Sequence, residues 1–189
     1  MGRSRLPEGR AIGHSAAMLI AQISDMHINA PGTPSMSGVD TIGNLERCVA
    51  AVNALDPAPE LVLATGDLTK DGTADEYATL RALLAPLTAP VYAIPGNHDI
   101  REAMREAFAD AAYLPRDGGY MHYAIEGHDL RLIALDTVVA MAPHGMLDDG
   151  RLEWLTARLE EAPDRPTALV MHHPPFLSGY AAMDAMRCL

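Results

Sequence analysis

The 189-residue sequence is short of cysteine, aromatic residues and positive charge: it has two cysteines, one tryptophan and two phenylalanines. Cys48 and Cys188 cannot build a disulfide framework, and Cys48 falls on the apolar side of an expected helix, so it reads as a reduced core residue. Fourteen Lys and Arg against 25 Asp and Glu leave a net charge of −11, which argues against a broad basic surface for nucleic acid. That balance does not exclude a small anionic substrate, because a bound cation reverses the local field. No apolar run approaches the roughly 20 residues needed to span a bilayer. The opening stretch "MGRSRLPEGRAIGHSAA" is basic but lacks the apolar core of a signal peptide. These absences lead us to expect a cytoplasmic protein, with a flexible tail over 1–17 and one domain over 18–189 that opens at Met18.

What is present is patterned for an α/β domain. The runs "MLIAQIS" (18–24), "LVLAT" (61–65), "PVYAI" (90–94) and "PTALVM" (166–171) are short, apolar and bounded by turn residues, as buried strands are. Between them, Ile42, Leu45, Val49, Val52 and Leu55 recur at spacings of three and four, predicting a helix over 39–55. A second helix is expected over 73–87, with Thr73 and Glu76 at capping-box spacing. Further helices are expected over 101–109 and 148–162, and a hairpin over 120–136 turning at Gly127-His128-Asp129. Strand alternating with helix predicts a parallel core covered by helices, and we expect the hairpin to join the same sheet.

Ligands of open α/β sheets bind beyond the carboxyl ends of the strands. Those positions carry Ser24-Asp25-Met26-His27, Gly66-Asp67, Gly96-Asn97-His98-Asp99 and His172-His173-Pro174-Pro175. Each group alone has a plain account, as turn chemistry or a hydrogen-bonded core histidine. Four together, delivered to one edge, point instead to a metal site. Carboxylate and imidazole suit Zn, Mn, Fe or Co better than Ca or Mg. The donors outnumber one ion's needs, which suggests two ions sharing a carboxylate. Ions about 3.5–4 Å apart can clamp the attacking and leaving oxygens of a phosphoryl displacement.

In order and spacing, Asp25-Met26-His27, Gly66-Asp67, Gly96-Asn97-His98-Asp99 and His172 resemble the motifs of the calcineurin-like metallophosphoesterases. "GDLTKDGTADEY" and "MHHPP" are similar to the bacterial cyclic-nucleotide and glycerophosphodiester phosphodiesterases of that family. The resemblance implies that Asp25 and His27 bind one metal, that Asn97 and His172 bind the other, and that Asp67 bridges them. It implies a metal-bridging hydroxide as nucleophile. His98 would be a hydrogen-bond donor or general acid rather than a ligand, with Asp99 orienting it. Asn97, His98 and His173 would line the site of a small phosphodiester substrate.

The family pattern closes with a Gly-His-x-His motif that has no counterpart before the final "MDAMRCL". His14, His122, His128 and His144 lack that context and read as surface or structural residues. Without the motif each metal would keep three protein ligands, and the sheet would have an unpaired edge open to a second copy. Three accounts stay open: a fragment of a longer enzyme, a weakened or inactive module that binds partners, or a chain completed by another. A nuclease of the same chemistry would need a basic track along its substrate, and none is visible.

Overall fold

The computed structural model describes residues 18–33 and 38–189. The expected tail over 1–17, with His14, and residues 34–37 of the loop after the first strand lie outside them. β1 (Ile20–Ile23), β2 (Leu61–Thr65) and β3 (Val91–Ile94) pair in that order as a parallel sheet. α1 (Thr41–Asn53) and α2 (Ala74–Leu84) make the crossovers between them, and α3 (Arg101–Ala107) follows β3. Asp40 caps α1 by accepting from the Gly43 N–H, and Thr73 and Glu76 form the predicted capping box on α2. α1 stops at Asn53, two residues before the predicted apolar stripe ends, so Leu55 is exposed.

The hairpin does not extend this sheet. β4 (Tyr123–Ile125) pairs antiparallel with β5 (Arg131–Leu135), and β5 pairs in parallel with β6 (Thr167–Met171), as a separate three-stranded sheet. The expectation of one sheet is corrected here, and the reason lies in the faces of β5. Leu132 and Ala134 enter the large core that also holds Ile23, Leu63, Ala93 and Ile94, whereas Ile133 and Leu135 pack with Trp154 and Leu155. Both faces of β5 are therefore apolar and buried, one against the first sheet and one against α4 (Asp149–Glu160). Each fully buried Leu or Ile contributes about 1.5–3 kcal/mol, so the chain gains by stacking the sheets rather than extending one.

A short α5 (Ala181–Ala185), which the sequence pattern did not predict, follows β6. The last residues then run beside Gly145, whose N–H donates to the Arg187 carbonyl at 3.2 Å and whose carbonyl accepts from Leu189 at 3.0 Å. In the second sheet β6 pairs with β5 alone. Among the described residues no helix is long and apolar enough to cross a membrane.

Candidate metal centre

The carboxyl ends of β1 and β2 run on as two paired loops rather than separating. Asp25 N–H donates to the Gly66 carbonyl (3.1 Å), His27 N–H to Asp67 (2.9 Å) and Ile28 N–H to Leu68 (3.1 Å). Within this ladder Asp25, His27 and Asp67 adopt left-handed backbone, with φ of 55°, 42° and 48°. Such a conformation costs a non-glycine residue about 1–2 kcal/mol, and strain of this kind collects at functional sites. All three residues were candidate ligands on sequence grounds.

Asp67 is buried at their centre. Its Oδ1 accepts from the His98 N–H at 3.0 Å and lies 3.4 Å from His172 Nε2, while Oδ2 lies 3.6 Å from His27 Nε2. Glycines allow this crowding. A Cβ on Gly96 would stand 2.2 Å from Asp67 Oδ1, and one on Gly66 would stand 2.4 Å from His172 Nδ1. Burial alone would raise the Asp67 pKa, but His172 and the His98 N–H outweigh it and hold the carboxyl below its ordinary value. At His172 burial would lower the pKa, but the Asp67 partnership outweighs it and raises it above the ordinary imidazole value.

Among the described residues two groups of donors have all their ligand atoms within 4.8 Å: His27, Asp67 and His98, and Asp25, Asp67 and His172. Asp67 belongs to both, the arrangement a bridging carboxylate requires. The grouping differs from the expected pairing in two respects: Asp25 stands with His172 rather than with His27, and His98 stands with His27, their rings in a T-shaped contact at 4.7 Å. Both outer imidazoles are fixed from behind. The Lys70 carbonyl lies 2.7 Å from His98 Nδ1 and the Thr65 carbonyl 2.8 Å from His172 Nδ1. A carbonyl only accepts, so each Nδ1 carries the proton and each Nε2 is left for the cluster.

Two expectations are corrected. Asp99 does not orient His98, because its carboxylate is buried and engaged elsewhere. It accepts from the N–H groups of Leu68, Thr69 and Gly96, from Thr69 Oγ1 and from the Tyr77 hydroxyl. It thereby ties the loop after β2 to the turn after β3. His173 does not line a substrate site either: it is 2 % exposed, with Nδ1 at 2.7 Å from Thr137 Oγ1 and Gly145 packed on its ring. Burial and the adjacent His172 push its pKa down to about 4. Asn97 and His98 do open onto solvent space, in a groove they line together with Lys70, Asp71, Arg101 and Glu102.

His122, buried ahead of β4, accepts from the Asp136 N–H; His128 in the hairpin turn faces Glu60; and His144 sits in the loop before α4. None of them joins the donor groups. Sequence reasoning missed the carbonyls of Thr65 and Lys70, which carry no side-chain signal. It also missed Asp136, although that residue ends a strand as Asp25 and Asp67 do. Asp136 is fully buried and holds Arg101 through Nε at 2.5 Å and Nη2 at 2.8 Å.

Loops from two stacked sheets thus converge on one carboxylate shared by two donor groups. The chain belongs to the calcineurin-like phosphoesterase family, which it matches over residues 18–188. It is 35% identical over 167 residues to the probable glycerophosphodiester phosphodiesterase GpdQ of Arcobacter nitrofigilis, a match covering 88% of this chain and 61% of that protein. To the 3',5'-cyclic adenosine monophosphate phosphodiesterase CpdA of Escherichia coli it is 33% identical over 169 residues, covering 89% and 60%. The chain thus spans about three fifths of the length of these relatives. Purple acid phosphatase PPD1 from yellow lupin (Lupinus luteus) superposes with a TM-score of 0.58 at 13% identity, over 90% of this chain and 33% of the other, a likeness of fold.

Proposed function

We propose that the chain carries the centre of a metal-dependent hydrolase of small phosphodiesters. The observation that supports this reading best is Asp67, one buried carboxylate belonging to two donor groups. The donors fit a pair of ions from Mn, Fe, Zn and Co, being oxygen and imidazole nitrogen with no thiolate among them. Asp25, His27, Asp67, Asn97 and His172 would hold them. Bound there, such a pair supplies positive charge to a phosphate and acidifies water near neutral pH. It also answers the electrostatic difficulty of a chain with net charge −11 handling an anion.

The chain's own groups supply the rest. The Thr65 and Lys70 carbonyls hold the His172 and His98 rings in one tautomer. His98, with Nε2 free, would donate to the phosphate or protonate the departing alcohol oxygen. Asn97 would reach both a cation and a phosphate oxygen from the groove it lines. Cyclic nucleotides and glycerophosphodiesters, the substrates in the relatives' names, are the two candidate classes. A reducing compartment such as the cytoplasm suits the two free thiols. Metal content measured beside hydrolysis of bis(p-nitrophenyl) phosphate with added Mn²⁺ tests the reading. We expect metal-dependent turnover, and the absence of both metal and turnover overturns it.

A further inference from the structure

The free edges of the two sheets are finished in different ways. In a parallel pair each residue turns its N–H and its carbonyl to the same side, and successive residues alternate. The Val62 N–H donates to the Pro90 carbonyl at 2.9 Å, so on β3 Tyr92 faces β2 and Ala93 turns away from it. The Ala93 N–H donates to Tyr113 Oη and its carbonyl accepts from Tyr123 Oη, both at 3.0 Å, which closes that edge. β4 has only three residues, and the outer edge of β1 is flanked by the exposed polar residues Gln22, Ser24 and Asp25. Capped, short or polar edges are defences against stray strand pairing.

β6 carries none of these defences. The Arg131 N–H donates to the Pro166 carbonyl at 2.9 Å, so Ala168 and Val170 face β5 while Thr167, Leu169 and Met171 turn their backbone groups outward. Among the described residues no strand or isolated bridge pairs with that edge. Leu169, at the middle of the strand, is 45 % exposed. Beyond β6 the chain stays apolar in water, with Phe176, Leu177 and Tyr180 each about two-thirds exposed. Residues 166–183 contain no Asp, Glu, Lys or Arg. In a chain of net charge −11, such a stretch is where two copies can meet without like charges opposing them.

We infer that the β6 edge is an interaction surface for a second copy of this chain, paired antiparallel about a two-fold axis at Leu169. That register satisfies every outward backbone group at once: Leu169 exchanges both bonds with its counterpart, and Thr167 with the Met171 position of the other copy. Two-fold pairing is self-complementary and closes as a dimer. A strand edge alone falls short of the roughly 800 Å² that each partner buries in a stable interface, so the apolar surface of 176–183 is drawn in as well. The inference depends neither on metal nor on hydrolysis.

Sedimentation velocity of the 189-residue chain over a concentration series is the experiment, and we expect a reversible dimer. Leu169→Lys sets two like charges opposite each other on the axis and should weaken the dimer by about tenfold or more. Leu152→Lys, at an exposed leucine of α4, should leave it unchanged. Amide exchange followed by NMR on the native chain, which needs no variant to fold, should show the Leu169 N–H protected in step with dimerisation. A monomer at every concentration, open-ended oligomers, or a dimer indifferent to Leu169→Lys overturns the inference. So does a dimer lost equally in Leu152→Lys, or a Leu169 N–H that exchanges freely within the dimer.

Discussion

In Asp99→Asn, one carboxylate oxygen becomes an amide nitrogen that donates where the native atom accepts. Oδ2 serves two backbone N–H groups, Leu68 at 3.0 Å and Gly96 at 2.9 Å, which cannot turn away. Oδ1 serves one, Thr69 at 3.2 Å, together with the hydroxyls of Thr69 and Tyr77, which rotate to accept. The amide nitrogen therefore settles on the Oδ1 side and orphans the Thr69 N–H alone. One buried donor left unpaired costs about 1–3 kcal/mol, and the upper end applies to a site as buried as this one. A total near 3 kcal/mol lowers the melting temperature by about 6–12 °C in a chain of this size. Asp99→Ala orphans all five donors and should exceed about 5 kcal/mol, which approaches the whole stability of a domain. Thermal melts followed by circular dichroism, beside a pH–rate profile with bis(p-nitrophenyl) phosphate, read out both effects. A variant that melts like the native chain but shifts the pH profile would refute the tie between loops and return Asp99 to His98.

Asp67→Ala should lower metal content further than Asn97→Ala, because it removes a donor common to both groups; equal losses by elemental analysis would count against bridging. His98→Ala should cut turnover by about 10²–10⁴-fold with nearly full metal content if His98 works as a proton donor. Loss of one ion in that variant would make it a ligand, the role its contact with His27 allows. Stability should depend on Asp136 in acid. Burial would raise its pKa, but Arg101 and the Met121 and Val138 N–H groups lower it below the ordinary value. Its contribution is therefore complete above about pH 4 and fades as the pH falls further. Urea titrations of Asp136→Asn should show a loss of about 3–5 kcal/mol at neutral pH and a flatter acid limb.

The strands and helices were legible because each is short, apolar on a definite face and bounded by its own punctuation, as with Thr73 and Glu76 on α2. The assignment of β5 to a second sheet was not. A run buried on both faces reads alike whether its neighbours are a helix and a sheet or two helices, and only the partition of Leu132 from Ile133 between two cores distinguishes them. In the site, the side-chain donors were visible as motifs. What anchors them is largely backbone: the Thr65 and Lys70 carbonyls, and the glycines that admit Asp67 and His172. Asp99 shows the opposite error, since adjacency in "GNHD" suggested a partnership with His98. The Asp99 carboxylate is taken up instead by the N–H groups of Leu68, Thr69 and Gly96 and by the Tyr77 hydroxyl.

The placement of Asp67 explains why the paired loops tolerate strain at three positions. Its carboxylate must meet imidazoles from two sheets: His27 follows β1 in the first, and His172 follows β6 in the second. Parallel pairing alone would let the loops after β1 and β2 diverge, but left-handed turns at Asp25, His27 and Asp67 keep their ladder hydrogen-bonded past the strand ends. From the other side, the bare Gly66 lets the His172 ring approach within contact of the backbone. Strain of about 1–2 kcal/mol per residue is tolerable when each turn also completes a backbone hydrogen bond that water would otherwise have to satisfy. Donors that follow β1, β2 and β3 in the first sheet thereby meet His172, which follows β6 in the second, rather than lining the edge of a single sheet.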